Sequence, residues 1–108
     1  MTPEQKLTSL EIELPAPAAP VGAYLPVVRT GDLVFTAGQL PMKDGSLTAA
    51  GKIPGDVSLT EAQQAARTAL LNALAALRAE IGSLDNVTRI VRLNVFVNSS
   101  PGFTDQAK

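Results

Sequence analysis

Residues 59–81 constrain this chain more than any other stretch. Ser58-Leu59-Thr60-Glu61 has the form of a capping box: the serine hydroxyl accepts from the glutamate amide, and the glutamate side chain reaches back to the serine amide. Behind it Ala62, Ala66, Leu70, Leu74, Leu77 and Ile81 recur at three- and four-residue steps, which predicts one helix with an apolar stripe. Gln63, Gln64, Arg67, Arg78 and Glu80 fall mostly off that stripe, and Gly82 offers a left-handed stop. Many alanines keep the stripe shallow, so the helix can lie close to a sheet. Nothing on it has the character of a site. The rest of the chain has to supply the sheet.

Three stretches have that capacity. Leu33-Val34-Phe35 follows a Gly31-Asp32 turn and ends at Gly38 and Pro41, the pattern of a strand over 33–37. Glycine at 38 lets another group approach the backbone amide closely. Residues 24–30 form a first strand that pairs with it; Pro26 has no amide proton, so it belongs at an edge or at a non-bonding position. The third is 88–97. There Arg89, Val91, Leu93, Val95 and Val97 share one face, an apolar row suited to packing under the helix. Thr88, Ile90, Arg92, Asn94 and Phe96 make the other face, too polar for a core and too apolar for open water, which points to partner contact.

The remaining segments are simpler. Thr2 can cap a short helix over 2–12, with Pro3 at the first helical position and Leu7 and Leu10 on one face. Residues 15–20, Pro-Ala-Pro-Ala-Ala-Pro, form an extended lead-in. Asp44-Gly45, Gly51 and Pro54-Gly55 mark 42–57 as a surface loop or short third strand. Asn98 to Gly102 is a loop, and Phe103 to Lys108 begins a second helix.

With 108 residues, 45% apolar and 18% charged, the chain is one globular domain. It divides into an arm, 1–20, and a core, 24–108. Nine basic and ten acidic side chains leave a net charge of −1, which gives no footprint for nucleic acid or an anionic membrane. Cysteine and histidine are absent from the sequence. Thiol nucleophiles, disulfides, imidazole catalysis and zinc sites built on those ligands are excluded. The first residues lack the apolar core of a signal peptide, and no run has membrane-spanning length. A cytoplasmic protein without a cofactor or metal is the expectation. By its own chemistry the sequence offers no catalytic constellation, since no Ser, Thr or Tyr has an obvious base partner.

Two stretches nevertheless carry a resemblance. Tyr24, followed by Gly31-Asp32-Leu33-Val34-Phe35-Thr36-Ala37-Gly38-Gln39-Leu40-Pro41, is similar to the opening signature of the RidA family, also called YjgF-type or L-PSP proteins. Val91-Arg92-Leu93-Asn94-Val95-Phe96-Val97-Asn98, with Phe103 after it, resembles the family's second signature strand. The likeness spans roughly residues 15–108. It implies an α+β, chorismate-mutase-like fold, a mixed sheet with helices on one face, in which 33–37 and 88–97 share the sheet. It also implies a homotrimer whose sites lie between subunits, with Arg92, Asn94 and Phe96 at the interface.

The activity implied is hydrolysis of reactive enamines and imines of the 2-aminoacrylate type, with release of ammonia; an endoribonuclease label is also attached to the family. In such deaminases a glycine amide and an arginine hold the substrate carboxylate, and a tyrosine flanks it. Tyr24, Ala37 and Gly38 are the matching substrate-binding positions. Two departures stand out: Ala37 replaces a hydroxyl residue, and Leu25 replaces a small polar one. The family's arginine lies in a Pro-Ala-Arg-type segment to which Arg29, Arg67, Arg78, Arg89 and Arg92 do not correspond. By this likeness the chain is a C-terminally incomplete member, without the second helix and last strands, and is not a competent deaminase alone. A non-catalytic protein that binds carboxylate metabolites is the alternative.

Overall fold

The structure, a computed structural model, describes residues 1–17, 19 and 22–108. Of the lead-in over 15–20, Ala18 and Pro20 therefore lie outside the described residues. The elements in order are α1 (Pro3–Ser9), β1 (Val27–Thr30), β2 (Leu33–Thr36), β3 (Met42–Lys43), β4 (Ser46–Leu47) and α2 (Leu59–Ile81), then a 3₁₀ turn, Leu84–Asn86. The architecture is α+β, as expected.

Helix α2 runs over the predicted residues. The Ser58 hydroxyl accepts from the Glu61 amide at 3.1 Å and Glu61 returns the contact to the Ser58 amide at 3.3 Å. Gly82 closes the helix at φ 86°. Strands β1 and β2 pair antiparallel, with Val27 opposite Thr36 and Thr30 opposite Leu33. Gly31, at φ 57°, occupies the first loop position, where a type II′ hairpin places glycine. Asp44 and Gly45 both have positive φ, 53° and 82°, as a type I′ turn demands, and they close a second small hairpin, β3–β4. Residues 42–57 thus contain paired strands as well as loop. Helix α2 rests against β1, β2 and β3.

The core lies where the arm meets the end of α2. Leu14, Ala75 and Leu84 are buried there, with Leu7, Ile12, Leu71, Leu74 and Leu77 packed around them. Polar contacts fasten the same junction. Glu4 accepts from Arg78 at 3.0 Å and from the Leu84 amide at 2.8 Å, while the Glu4 amide donates to Asp85 at 2.9 Å. The arm is an integral part of the fold.

Beyond residues 24–26 and 103–108, which form bends and turns rather than strand and helix, two sequence expectations change. The face of α2 that is most buried holds Asn72, Ala75 and Ala76, not the predicted stripe. Leu74 and Leu77 of the stripe meet the arm, whereas Ala66 and Leu70 are exposed. The second change concerns 88–97. Among the described residues this segment enters no ladder; the ordered pairing stops at a parallel bridge between Ile53 and Ser99. Val91, Leu93 and Val95, expected under the helix, are 63–66% exposed. Alternation gives a strand its two faces, but pairing needs a neighbouring backbone, and none of the described strands lies beside it.

Candidate functional site

The register of the first hairpin decides which predicted positions come together. Beyond the last ladder pair the Ala37 amide donates to the Pro26 carbonyl at 2.8 Å. This places Tyr24, two residues before Pro26, and Gly38, one after Ala37, at the same end of the hairpin. Tyr24 is half exposed. Its ring folds over Gly22, where an added Cβ would stand 2.8 Å from ring atom Cε1. Leu25, at the position the family gives to a small polar residue, points an apolar side chain to solvent, 71% exposed.

Gly38 is exposed, and a Cβ built on it would meet nothing within 4 Å. Among the described residues its N–H donates to no acceptor. A fixed, unengaged amide at a strand end is a donor available to an anion. Ala37 adds no hydroxyl beside it, so its contribution is main-chain only. The Ala37 carbonyl receives Gln39 Nε2 at 3.4 Å, which occupies the acceptor on that side.

What holds this strand end was not anticipated from the sequence. Asn72 is 6% exposed in the middle of α2. Its Nδ2 donates to the Leu40 carbonyl at 3.1 Å and to the Met42 carbonyl at 2.9 Å. Both partners are acceptors, so the nitrogen of the side-chain amide must face them. The Pro41 carbonyl between them receives the Thr48 amide at 2.8 Å. The signal available in the sequence was one polar residue inside the apolar run Leu70-Leu71-Asn72-Ala73-Leu74.

Arg92, Asn94 and Phe96 lie on the unpaired segment and are all exposed, Phe96 by 94%. Arg92 Nε donates to Asn94 Oδ1 at 3.3 Å, so the two polar members contact one another. The described contacts do not join this trio to the hairpin end. Of the other arginines, Arg78 is engaged by Glu4, and Arg29 Nε donates to the Gly31 carbonyl at 3.1 Å. A separate open concavity of about 320 Å³ lies between the start of α2 and the β3–β4 hairpin, lined by Lys43, Thr48, Thr60, Glu61, Gln64 and Thr68. None of the predicted positions lines it. No group of three potential metal-ligating side chains occurs among the described residues, and no helix there is long and apolar enough to cross a membrane.

Comparison with known proteins places this geometry. The family model described as "YjgF/chorismate_mutase-like, putative endoribonuclease" matches residues 4–108. Protein TCP17 of Trypanosoma cruzi is 44% identical over 101 residues, covering 94% of this chain and 63% of that protein. Among solved structures, protein Atu1372 of Agrobacterium tumefaciens, described as of unknown function, is 35% identical with a TM-score of 0.82, over 96% of this chain and 62% of that one. A "putative endoribonuclease" from Shewanella oneidensis MR-1 is 38% identical with a TM-score of 0.72, over 78% of this chain and 56% of that one. The chain thus spans about three-fifths of the length of these relatives. A family match that takes in both the Gly38 strand end and the 91–98 run shows that this chain belongs to the YjgF/RidA family.

Proposed function

We propose that the Gly38 strand end is the carboxylate-binding part of an enamine/imine deaminase site. The observation that carries this reading is the exposed Gly38 amide, which has no acceptor among the described residues, at the same hairpin end as Tyr24. Family membership supports it. The substrate class is a 2-aminoacrylate-type acid in its imine form. Water adds to the imine carbon, the C–N bond breaks, and a 2-oxo acid and ammonia leave; no redox change is involved. The protein orients the anion and the attacking water, so positioning and fixed dipoles supply the rate. No step requires a cofactor.

Assembly is part of the same proposal. The face of 88–97 bearing Ile90, Arg92, Asn94 and Phe96 lies against neighbouring subunits of a homotrimer. Its exposure supports this, as does its mixture of arginine and aromatic with apolar residues, which is typical of interfaces. A cytoplasmic location accords with a substrate class drawn from amino-acid metabolism.

A specific observation favours a second reading, that of a non-catalytic carboxylate-binding protein. Ala37 offers no hydroxyl, and Arg29 and Arg78 are engaged elsewhere. The ribonuclease name carried by one relative finds less support, because a net charge of −1 supplies little attraction for RNA. The test is a coupled assay that follows imine decay and ammonia release from 2-iminopropionate, beside a pyruvate titration. Ammonia release above the spontaneous rate is expected of a chain extended to its relatives' length, whereas residues 1–108 alone should bind pyruvate with little release. Pyruvate binding by the extended chain without ammonia release would move the assignment to the second reading, and neither would refute both.

A further inference from the structure

Three consecutive carbonyls just after Gly38 are held from other parts of the molecule. Leu40 and Met42 are held by Asn72, and Pro41 between them by the Thr48 amide. On the other side of Gly38, Ala37 is held to Pro26. Gly38 and Gln39 are thus a short span between two anchors; the downstream one combines a side chain on α2 with the Thr48 amide and with a turn in which the Met42 amide donates to the Leu40 carbonyl at 2.8 Å. That side chain is almost wholly buried. An apolar residue of similar size would fill the space equally well without reaching the carbonyls.

We infer that Asn72 is a positioning residue for the Gly38 amide: it fixes, through the Leu40 and Met42 carbonyls, the direction in which that N–H is offered to a ligand carboxylate. The inference rests on the carboxylate reading of the strand end. It differs from a role in stability alone. A residue that only stabilises the fold would lower the melting point and leave the folded Gly38 environment unchanged. Asn72 acts on that environment through its own contacts, because removing its donors frees the Leu40 and Met42 carbonyls from α2 and leaves the segment held by the Thr48 and Met42 amides. Leu84 provides the contrast, being buried in the core beside Leu14 and Ala75 and taking no part in the hairpin end.

The experiment uses the ¹⁵N-labelled chain and the variants Asn72→Ala and Leu84→Ala. The Gly38 amide resonance and its exchange rate are read without ligand, then during titration with pyruvate. Asn72→Ala is expected to shift the resonance, speed its exchange, and weaken pyruvate binding about tenfold, or about 1.4 kcal/mol. Leu84→Ala should lower the melting temperature while leaving the Gly38 resonance and the pyruvate affinity of the folded protein as they were. Should Asn72→Ala not fold, Asn72→Gln replaces it: the side-chain NH₂ is kept, but one methylene further out, so the carbonyls and the Gly38 resonance must move. An unchanged Gly38 resonance in the folded Asn72 variant would overturn the inference. So would an equal displacement by Leu84→Ala. If pyruvate leaves the parent's Gly38 resonance untouched, the carboxylate reading fails, while the ligand-free spectra still decide what Asn72 does.

Discussion

Replacing Glu4 with alanine should destabilise the fold far more than its place near the N-terminus suggests. One carboxylate oxygen accepts from Arg78 at 3.0 Å, in a pair whose side chains are 38% and 27% exposed. Pairs this accessible contribute about 0.2–1 kcal/mol. The other oxygen accepts from the amide of Leu84, a residue only 4% exposed. Leaving a buried donor without a partner costs about 1–3 kcal/mol. The total for Glu4→Ala is therefore about 1–4 kcal/mol, which lowers Tm by roughly 5–25 °C in a domain of this size. Arg78→Ala should cost only about 0.5–1 kcal/mol, because it removes the ion pair and leaves the Leu84 contact intact. Glu4→Gln keeps one oxygen acceptor and should fall between them. Urea unfolding of the two single variants and the double variant forms a cycle whose coupling should stay below about 1 kcal/mol. A Glu4→Ala variant within about 0.5 kcal/mol of the parent would refute the account, as would a coupling equal to the whole loss.

Gly38→Ala separates binding from folding. With nothing within 4 Å of the added Cβ, it should keep or slightly raise Tm, by up to about 1 kcal/mol of stability, while a pyruvate titration shows weaker binding; a large loss of Tm would show the site to be packed. Ser58→Ala removes one half of the capping box and should cost about 1 kcal/mol, measured by thermal melting followed at the helix signal. Phe96→Asp should weaken self-association in sedimentation velocity and leave the helix signal unchanged, since Phe96 is 94% exposed; an unaltered sedimentation profile in a protein that does associate would remove Phe96 from the interface.

Local chemistry was legible, and long-range polar chemistry was not. The capping box at Ser58 and Glu61, the stop at Gly82, the Thr2 cap and the Asp44-Gly45 turn each involve residues a few positions apart, so a short window contains the whole interaction. The candidate positions at the hairpin end were legible through the family likeness, because turn and strand lengths bring Tyr24 and Gly38 to one end. Asn72 escaped because its partners lie 30 and 32 positions away and its donors leave no periodic trace. Glu4 escaped for the same reason, with partners 74 and 80 positions off. The helix stripe was misread where alanine dominates: with small apolar residues on several sides of α2, periodicity alone does not say which side faces the hairpins.

Two uncovered surfaces, the Ala66–Leu70 side of α2 and the segment 90–96, lead to one physical point. In that segment Ile90, Val91, Leu93, Val95 and Phe96 are each at least 63% exposed. At about 25 cal/mol for each Å² of apolar area, withholding five such side chains from burial forgoes several kcal/mol, comparable to the roughly 5–15 kcal/mol by which a domain is stable at all. Large exposed apolar patches in general mark interaction sites. The two rows of the segment are nevertheless different in kind. Val91, Leu93 and Val95 are aliphatic throughout and lie exposed. Ile90, Arg92, Asn94 and Phe96 mix guanidinium, amide and aromatic groups, which a core would leave without hydrogen-bond partners and an interface can satisfy. The mixed row therefore has the composition of an interface, and a substitution on it should be read out in association, whereas a substitution on the exposed aliphatic row should change stability by no more than about 0.5 kcal/mol.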